Sequence, residues 1–138
     1  MFVGFASALA ADAQAVRRAK VLDGYTPLAY SSAVVFLETG AFTARIGRLL
    51  DDEGYRALQA HLVRQPTSGD VITGTGGLRK LRWGREGRGK RGGIRVIYFW
   101  HAMSRRMLML FAFAKNEVSD LTAEQKRVLR RIVEAEYP

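Results

Sequence analysis

The sequence contains no cysteine and only two histidines, His61 and His101. Disulfide bonds and thiolate metal sites are therefore excluded, and a zinc site would have to be built largely from carboxylates. The longest apolar stretch, residues 107–114, has the length of a strand, whereas a transmembrane helix needs about 20 apolar residues. These absences disfavour metal-dependent hydrolysis, and they predict a protein with no metal site and no membrane segment.

Nucleotide-binding signatures are also missing, although the glycine-rich segment Gly74–Lys80 superficially suggests one. A phosphate-binding loop of the Walker type ends in Gly-Lys-Ser/Thr and opens a helix, whereas Lys80 follows Arg79 inside a predicted strand. The dinucleotide-binding fingerprint fails as well, because Arg79 stands where its third glycine belongs. We therefore predict that the protein uses no cofactor.

The chain of 138 residues is long enough for one domain of roughly 100 residues with an appendage. Residues 1–33 lack the regular pattern of the remainder, and their alanine-rich stretch Met1–Ala19 could form a short, weakly amphipathic helix. A secretory signal is disfavoured because no basic residue precedes the apolar part, so we expect a cytoplasmic protein. We predict a folded domain at 34–138 and an N-terminal extension at 1–33. The extension is disordered, docks on a partner, or results from a start codon assigned too far upstream.

The first half of the domain predicts a strand and two helices. Val34–Leu37 is a β-branched and aromatic run, which is typical of a strand. Apolar residues then recur with helical spacing over residues 42–50, and the acidic residues 51–53 favour the start of a second helix, which Pro66 ends. A glycine-rich connector without periodicity follows at Gly69–Gly77.

The second half predicts three strands and a final helix. The strands are Leu78–Trp83, Ile94–His101 and Met107–Lys115, and a polar linker with five glycines, Gly84–Gly93, separates the first two. The last two strands are apolar on both faces and close enough in sequence to pair antiparallel. Thr122–Gln125 fits a capping box ahead of the last helix. Helices grouped before and after the strands indicate an α+β fold, with a strand and a helical pair, an antiparallel central sheet and a C-terminal helix.

Positive charge is concentrated in the second half of the sequence. The formal net charge is +9, and the stretch Arg79–Arg95 holds eight basic residues against the single acid Glu86, so it supplies seven of the nine net charges. A concentrated positive field attracts polyanions, because each neutralised phosphate releases condensed counterions. Two interpretations are open at this point: a solubilising surface, or a binding site for a polyanion such as a nucleic acid.

Side-chain alternation along a strand divides this basic stretch. Lys80 and Arg82 project from one face of their strand, about 7 Å apart and close to the spacing of adjacent phosphates. Arg79 shares the other face with Leu81 and Trp83. The pair of cations on one rigid face therefore favours a phosphate-binding surface.

Two further cations occur where a charge is costly. Arg95 interrupts an apolar run, so it meets an anion, reaches the rim of the sheet, or pairs with a carboxylate such as Glu38 or Glu117. Lys115 ends the third strand in the same way. We expect both to converge with the pair on the first strand, in a geometry that would hold a phosphodiester and stabilise a pentacoordinate transition state.

Candidates for base stacking and proton transfer are few. Tyr98, Trp83 and Trp100 could stack on RNA bases, although aromatic residues in central strands are more often part of the core. Histidine is the usual general acid or base near neutral pH, but the position of His101 at a hairpin end favours a solvated or capping role.

Three segments together resemble the RelE/HigB superfamily of bacterial toxins, and specifically its HigB-like branch. They are Gly69–Trp83, Gly87–Trp100, and Ala114–Glu117 together with Asp120–Thr122. The resemblance spans roughly residues 34–133, with the segments in the expected order, and it implies a small α+β domain of the microbial-RNase type.

The resemblance further implies the toxin of a type II toxin–antitoxin system, which enters the ribosomal A site and cuts the mRNA codon presented there. A cognate antitoxin, HigA-like or RelB-like, would be its protein partner. The family's reaction needs no metal: the 2′-hydroxyl attacks the adjacent phosphate and leaves a 2′,3′-cyclic phosphate. By position, Lys80, Arg82 and Arg95 match the family's basic residues on its second and third strands. Lys115 and Asn116 lie where RelE-like members place another arginine.

The proton acceptor stays open, because Leu121 stands near the place where RelE-like toxins often carry a tyrosine. Lys80 is the first candidate, since neighbouring cations favour the uncharged form of a lysine, and Tyr98 and His101 are reserves. The predicted catalytic residues are Lys80, Arg82, Arg95 and Lys115. The predicted RNA- or ribosome-binding residues are Arg79, Arg85, Arg88, Lys90, Arg91, Tyr98 and Asn116. The alternative function is a non-catalytic RNA- or ribosome-binding module that blocks translation by occupancy.

Overall fold

Six β-strands form one mixed sheet in the computed structural model, which describes residues 16–22, 33–85, 89–115 and 121–137. The strands are β1 (Val16–Leu22), β2 (Val34–Thr39), β3 (Asp70–Val71), β4 (Arg79–Arg85), β5 (Gly89–His101) and β6 (Arg106–Ala114). Their order across the sheet is β1-β2-β6-β5-β4-β3. Neighbouring strands are antiparallel except for β2 and β6, which are parallel.

Three helices accompany the sheet: α1 (Gly40–Leu49), α2 (Asp52–Arg64) and α3 (Ala123–Glu136). The predicted start of α2 is confirmed, because the Asp51 side chain accepts a hydrogen bond from the Gly54 N–H at 2.7 Å. The predicted capping box before α3 is also present, with reciprocal bonds between Thr122 and Gln125. Such caps satisfy N–H groups that have no partner within the helix. In the described parts of the chain, no helix has the length and apolar character that crossing a membrane requires.

The sheet buries a separate apolar cluster on each face. On one face, α1 and α2 contribute Phe42 and Leu58, which pack with Val96 and other residues of the central strands. On the opposite face, α3 contributes Leu129 and Ile132, which pack with Ile97 and others. Because both faces are covered, β5 and β6 are apolar on both sides, as the sequence predicts for central strands. The predicted α+β class and the antiparallel pairing of β5 with β6 are confirmed.

Three parts of the sequence prediction are wrong. Val16–Leu22 is a strand that pairs with β2, so the helix expected over residues 1–19 does not extend over Val16–Ala19; residues 1–15 lie outside the described residues. The glycine connector contains the short edge strand β3, and residues 89–93 of the predicted linker belong to β5. Pairing across the sheet creates these strands, since none of them has an apolar pattern of its own.

Gly93 illustrates why a glycine-rich segment can be part of a strand. A Cβ atom at this position would lie 2.2 Å from the main-chain oxygen of Trp83 on the neighbouring strand. Only glycine allows β4 and β5 to approach this closely, so the residue that suggests a loop from the sequence is required by the strand pairing.

Candidate functional site

Two arginines face each other across the centre of the basic region. In the antiparallel pairing of β4 with β5, Arg82 lies directly opposite Arg95. Side chains in such a pair share one face of the sheet, with Cβ atoms about 4.5–5.5 Å apart. The strands therefore hold two positive charges side by side, an arrangement that destabilises the protein unless an anion lies between them.

The described surroundings of this pair contain no carboxylate that neutralises it. Arg95 is partly buried, and its Nη1 donates a hydrogen bond to the Ile94 carbonyl oxygen at 3.3 Å. Burial and, secondly, the charge of Arg82 lower the pKa of Arg95 below its usual value. Within the described residues, neither arginine has a carboxylate within salt-bridge distance.

Of the two predicted carboxylate partners of Arg95, the one that the structure describes is bonded to other residues. Glu38 is buried and accepts hydrogen bonds from the Thr43 hydroxyl, at 2.7 Å, and from the Tyr55 hydroxyl. It is therefore held by α1 and α2, and pairing with Arg95 is not seen. Glu117 lies outside the described residues.

Lys80 and Lys115 flank the arginine pair. Lys80 is two residues before Arg82 on the same face of β4, about 7 Å away along the strand, and it lies directly opposite Asp70 on β3. Lys115 is exposed and follows β6, where its N–H donates to the Gly93 carbonyl at 3.3 Å. We call Lys80, Arg82, Arg95 and Lys115 the basic cluster.

The basic cluster borders the part of the sheet that α3 covers. Lys80 lies opposite Ile97, and Arg95 lies opposite Phe113. Both apolar residues belong to the cluster that packs against α3. These cations thus lie beside the apolar cluster that α3 covers. Packing in that cluster holds the strands that carry them in place.

Asp70 is the residue at this site that the sequence did not reveal. It is exposed on β3, a strand of only two residues, and such a short strand has no periodicity to detect. Its position opposite Lys80 places an acidic residue on the face of the sheet that carries the basic cluster.

The prediction that Tyr98 contacts RNA is wrong, because its side chain is 0% exposed and faces α1 and α2. Its hydroxyl donates to the Pro66 carbonyl at 2.8 Å and accepts from the Gly69 N–H at 3.0 Å. Burial raises the pKa of Tyr98, an effect that the hydrogen bond from Gly69 and other neighbours partly oppose. Tyr98 therefore fixes the chain between α2 and β3, and it is excluded as the proton acceptor by its position.

Arg79 lies on the same face as Tyr98 and apart from the basic cluster. Its Nη1 donates to the carbonyl oxygens of Thr67, at 3.1 Å, and Gly69, at 2.8 Å. Through these two bonds, the guanidinium group of Arg79 holds the turn that precedes β3. The structure thus gives Arg79 a structural role, whereas its predicted contact with RNA stays a prediction.

His101 is too far from the basic cluster to transfer a proton there. On β5 it lies four residues after Ile97, the residue opposite Lys80, and six residues after Arg95, which are distances of about 13 Å and about 20 Å along a strand. Its Nδ1 is 2.7 Å from the Ser104 hydroxyl, and its ring stacks on Tyr137 with centroids 4.2 Å apart. These contacts agree with a role in capping the β5–β6 turn.

The remaining predicted binding residues lie in sequence around the end of β4 and the start of β5, or after β6. The backbone places Arg85 at the end of β4 and Lys90 and Arg91 in β5. Arg88 and Asn116 lie outside the described residues. The parts of the chain that the structure describes contain no group of three or more histidine, cysteine, aspartate or glutamate side chains that could hold a metal ion.

A family model described as the RelE toxin of the RelE / RelB toxin–antitoxin system matches residues 34–136 of the chain. The match begins with β2 and ends with the last residue of α3. It includes all four residues of the basic cluster and Asp70. It does not resolve the HigB-like branch, which stays a prediction. Toxins of this family inhibit translation and act with an antitoxin partner. Because the match covers well over half of the sequence, the chain belongs to the RelE family and is the toxin of a toxin–antitoxin system.

Proposed function

We propose that this toxin is a ribosome-dependent mRNA endonuclease whose basic cluster holds and cleaves the codon in the ribosomal A site. The observation that carries the proposal is the pair formed by Arg82 and Arg95, placed directly opposite each other without a carboxylate partner among the described residues. Two guanidinium groups in this arrangement match a phosphodiester that gains negative charge in the transition state.

The reaction is a transfer within the RNA chain. The 2′-oxygen of one nucleotide forms a bond to the adjacent phosphorus while the bond from phosphorus to the 5′-oxygen breaks. The products are a 2′,3′-cyclic phosphate and a 5′-hydroxyl, so no water is consumed in this step. The 2′-hydroxyl loses a proton and the leaving 5′-oxygen gains one.

We assign the cations of the cluster to different parts of this reaction. Arg82 and Arg95 bind the non-bridging phosphate oxygens and stabilise the pentacoordinate transition state. Lys80, which lies opposite Asp70, donates a proton to the leaving 5′-oxygen. Lys115 binds a neighbouring phosphate. The basic residues around the end of β4 and the start of β5 bind messenger or ribosomal RNA; they are Arg85, Arg88, Lys90 and Arg91.

The antitoxin is expected to neutralise the same surface. A net charge of +9, concentrated around the basic cluster, favours an acidic or amphipathic antitoxin segment that covers the cluster or displaces an element beside it. A HigA-like or RelB-like partner would meet this requirement.

Cleavage in a reconstituted ribosome complex with a defined A-site codon tests the proposal. The purified toxin should cut within that codon and leave a cyclic phosphate, and a 2′-deoxynucleotide at the cut position should block cutting. Arg95→Ala should lower the cleavage rate by a factor of about 100 or more with a smaller loss of ribosome binding. Arg88→Ala should chiefly weaken binding and reduce its salt dependence.

Arg56→Ala is the matched control, because Arg56 is exposed on α2, apart from the basic cluster. It removes the same charge and should leave cleavage unchanged. Translation arrest by tightly bound wild-type toxin, without any cut in the codon, would refute the nuclease and support the alternative, a module that blocks translation by occupancy.

A further inference from the structure

We infer that Asp70 is the general base that removes the proton from the attacking 2′-hydroxyl. The inference rests on the proposed nuclease function, and it assigns the one proton transfer that the basic cluster leaves without an acceptor. The observation behind it is the pairing of β3 with β4, which places Asp70 directly opposite Lys80 on the face of the sheet that carries the cluster.

Distance supports this assignment. A directly opposed pair in an antiparallel sheet has Cβ atoms about 4.5–5.5 Å apart, and the diagonal neighbour lies about 7–8 Å away. Lys80 is the opposed neighbour of Asp70, and Arg82 is the diagonal one. A phosphate bound by Arg82, with its leaving 5′-oxygen at Lys80, therefore places its attached ribose within reach of the Asp70 carboxylate. The side chain is exposed, so a ribonucleotide can approach it.

Among the residues that the structure describes, the other candidates for accepting the proton have their side chains away from the basic cluster. Tyr98 is buried on the opposite face, and His101 lies about 20 Å along β5 from Arg95. His61 is on α2, where its Nε2 is 3.0 Å from the Ser68 hydroxyl. The described strands contain two acidic residues, Glu38 and Asp70, and Glu38 is engaged by Thr43 and Tyr55. Asp70 is thus the strand carboxylate on the cluster's face.

The pairing also provides a way to restore the site after each cut. The Asp70 carboxylate takes the proton of the 2′-hydroxyl as the new bond to phosphorus forms. Lys80 gives a proton to the 5′-oxygen as the old bond breaks. The site is then left with a neutral carboxylic acid opposite a neutral amine, and transfer of one proton between these neighbours returns both groups to their starting forms.

The test compares Asp70→Asn with wild-type toxin in single-turnover cleavage on ribosomes carrying a defined A-site codon, with the toxin at saturating concentration. Asparagine keeps the shape of the side chain and removes its ability to accept the proton. A general base contributes roughly a factor of 100 to 10,000, so the cleavage rate constant should fall at least 100-fold. Ribosome binding should be unchanged or tighter, because a negative charge is removed from an RNA-binding surface. Asp70→Glu should recover at least a tenth of the wild-type rate.

A substrate with sulfur in place of the leaving 5′-oxygen separates the two proton transfers. Sulfur is a good leaving group without protonation, so Lys80→Ala should cut this substrate at close to the wild-type rate. Asp70→Asn should remain slow, since the 2′-hydroxyl must still lose its proton. Asp52→Asn, an identical substitution at an exposed position in the first turn of α2, is the matched control and should leave both rates unchanged.

The outcomes distinguish the two proposals. If wild-type toxin cuts and a 2′-deoxynucleotide blocks cutting, while Asp70→Asn cuts within threefold of the wild-type rate, Asp70 is not the base and the nuclease assignment stands. The same conclusion follows if the sulfur substrate rescues Asp70→Asn. If the wild-type toxin binds ribosomes and does not cut, the proposed function itself fails. A thermal unfolding curve for each variant shows whether a slow rate reflects loss of fold. If Asp70→Asn is unfolded, Asp70→Glu decides instead: a folded Asp70→Glu protein that cuts at less than a tenth of the wild-type rate contradicts the assignment.

Discussion

Replacing Arg82 by glutamine should make the protein more stable while removing its activity. Arg82 and Arg95 are directly opposed across β4 and β5, and Arg95 is partly buried. Two unit charges about 5 Å apart repel by about 0.8 kcal/mol in bulk water, and like charges opposite each other in a sheet cost roughly 0.2–1 kcal/mol. Removing one charge should therefore raise the free energy of unfolding by about 0.5 kcal/mol, which is a rise of about 2 °C in melting temperature for a domain of this size.

Salt provides the decisive measurement for this prediction. The screening length falls from about 10 Å at 0.1 M salt to about 3 Å at 1 M salt, so the repulsion in the wild-type protein weakens as salt is added. The stability gained by Arg82→Gln, measured by thermal or urea unfolding, should shrink over this range. Arg82→Lys keeps the charge and should give little gain in stability. Arg56→Gln is the control, because it removes an exposed arginine that does not lie opposite another cation in the sheet.

The reasoning would be refuted if Arg82→Gln unfolded at a lower temperature than the wild type, or if its gain were the same at 0.1 M and 1 M salt. The first result would mean that Arg82 makes a stabilising contact stronger than its repulsion from Arg95. A gain in stability together with loss of cleavage would identify the arginine pair as a site where function is maintained against stability.

The remaining predictions concern residues that hold the fold behind the site. Tyr98→Phe should lower the free energy of unfolding by about 1–3 kcal/mol, because it leaves a buried N–H and a carbonyl without their partner; urea unfolding measures this, and a loss below 0.5 kcal/mol would contradict it. Burial raises the pKa of Tyr98 above its ordinary value of 10.0, so its contribution to stability is complete below about pH 10 and is lost as the pH rises through the raised pKa; the Phe variant should lack this loss. Gly93→Ala should destabilise the protein by about 1–3 kcal/mol through overlap with β4. Gly47→Ala, where an added Cβ meets nothing within 4 Å in α1, should instead stabilise it by about 0.5–1 kcal/mol, and equal effects of the two substitutions would exclude the steric explanation.

The sequence by itself determined the elements whose signals are local. The apolar spacing from Phe42 onward, the acidic residues before α2 and the capping box at Thr122 depend on neighbours three or four positions away, so their pattern is visible along the chain. The same holds for β5 and β6, whose apolar character on both faces predicted a covered, central position. Strand alternation also placed Lys80 and Arg82 on one face without knowledge of the partner strands.

Only the tertiary structure decided which residues meet across the sheet. The register of β4 against β5 puts Arg82 opposite Arg95, and a shift of one residue would have moved Arg95 to the other face. The pairing of β3 with β4 brings Asp70 to the basic cluster although its strand has two residues and no pattern. Burial under α1 and α2 likewise placed Tyr98 in the core, on the face opposite to the basic cluster. The physical reason is that strand register depends on contacts between residues distant in sequence, whereas periodicity and caps record only contacts within one element.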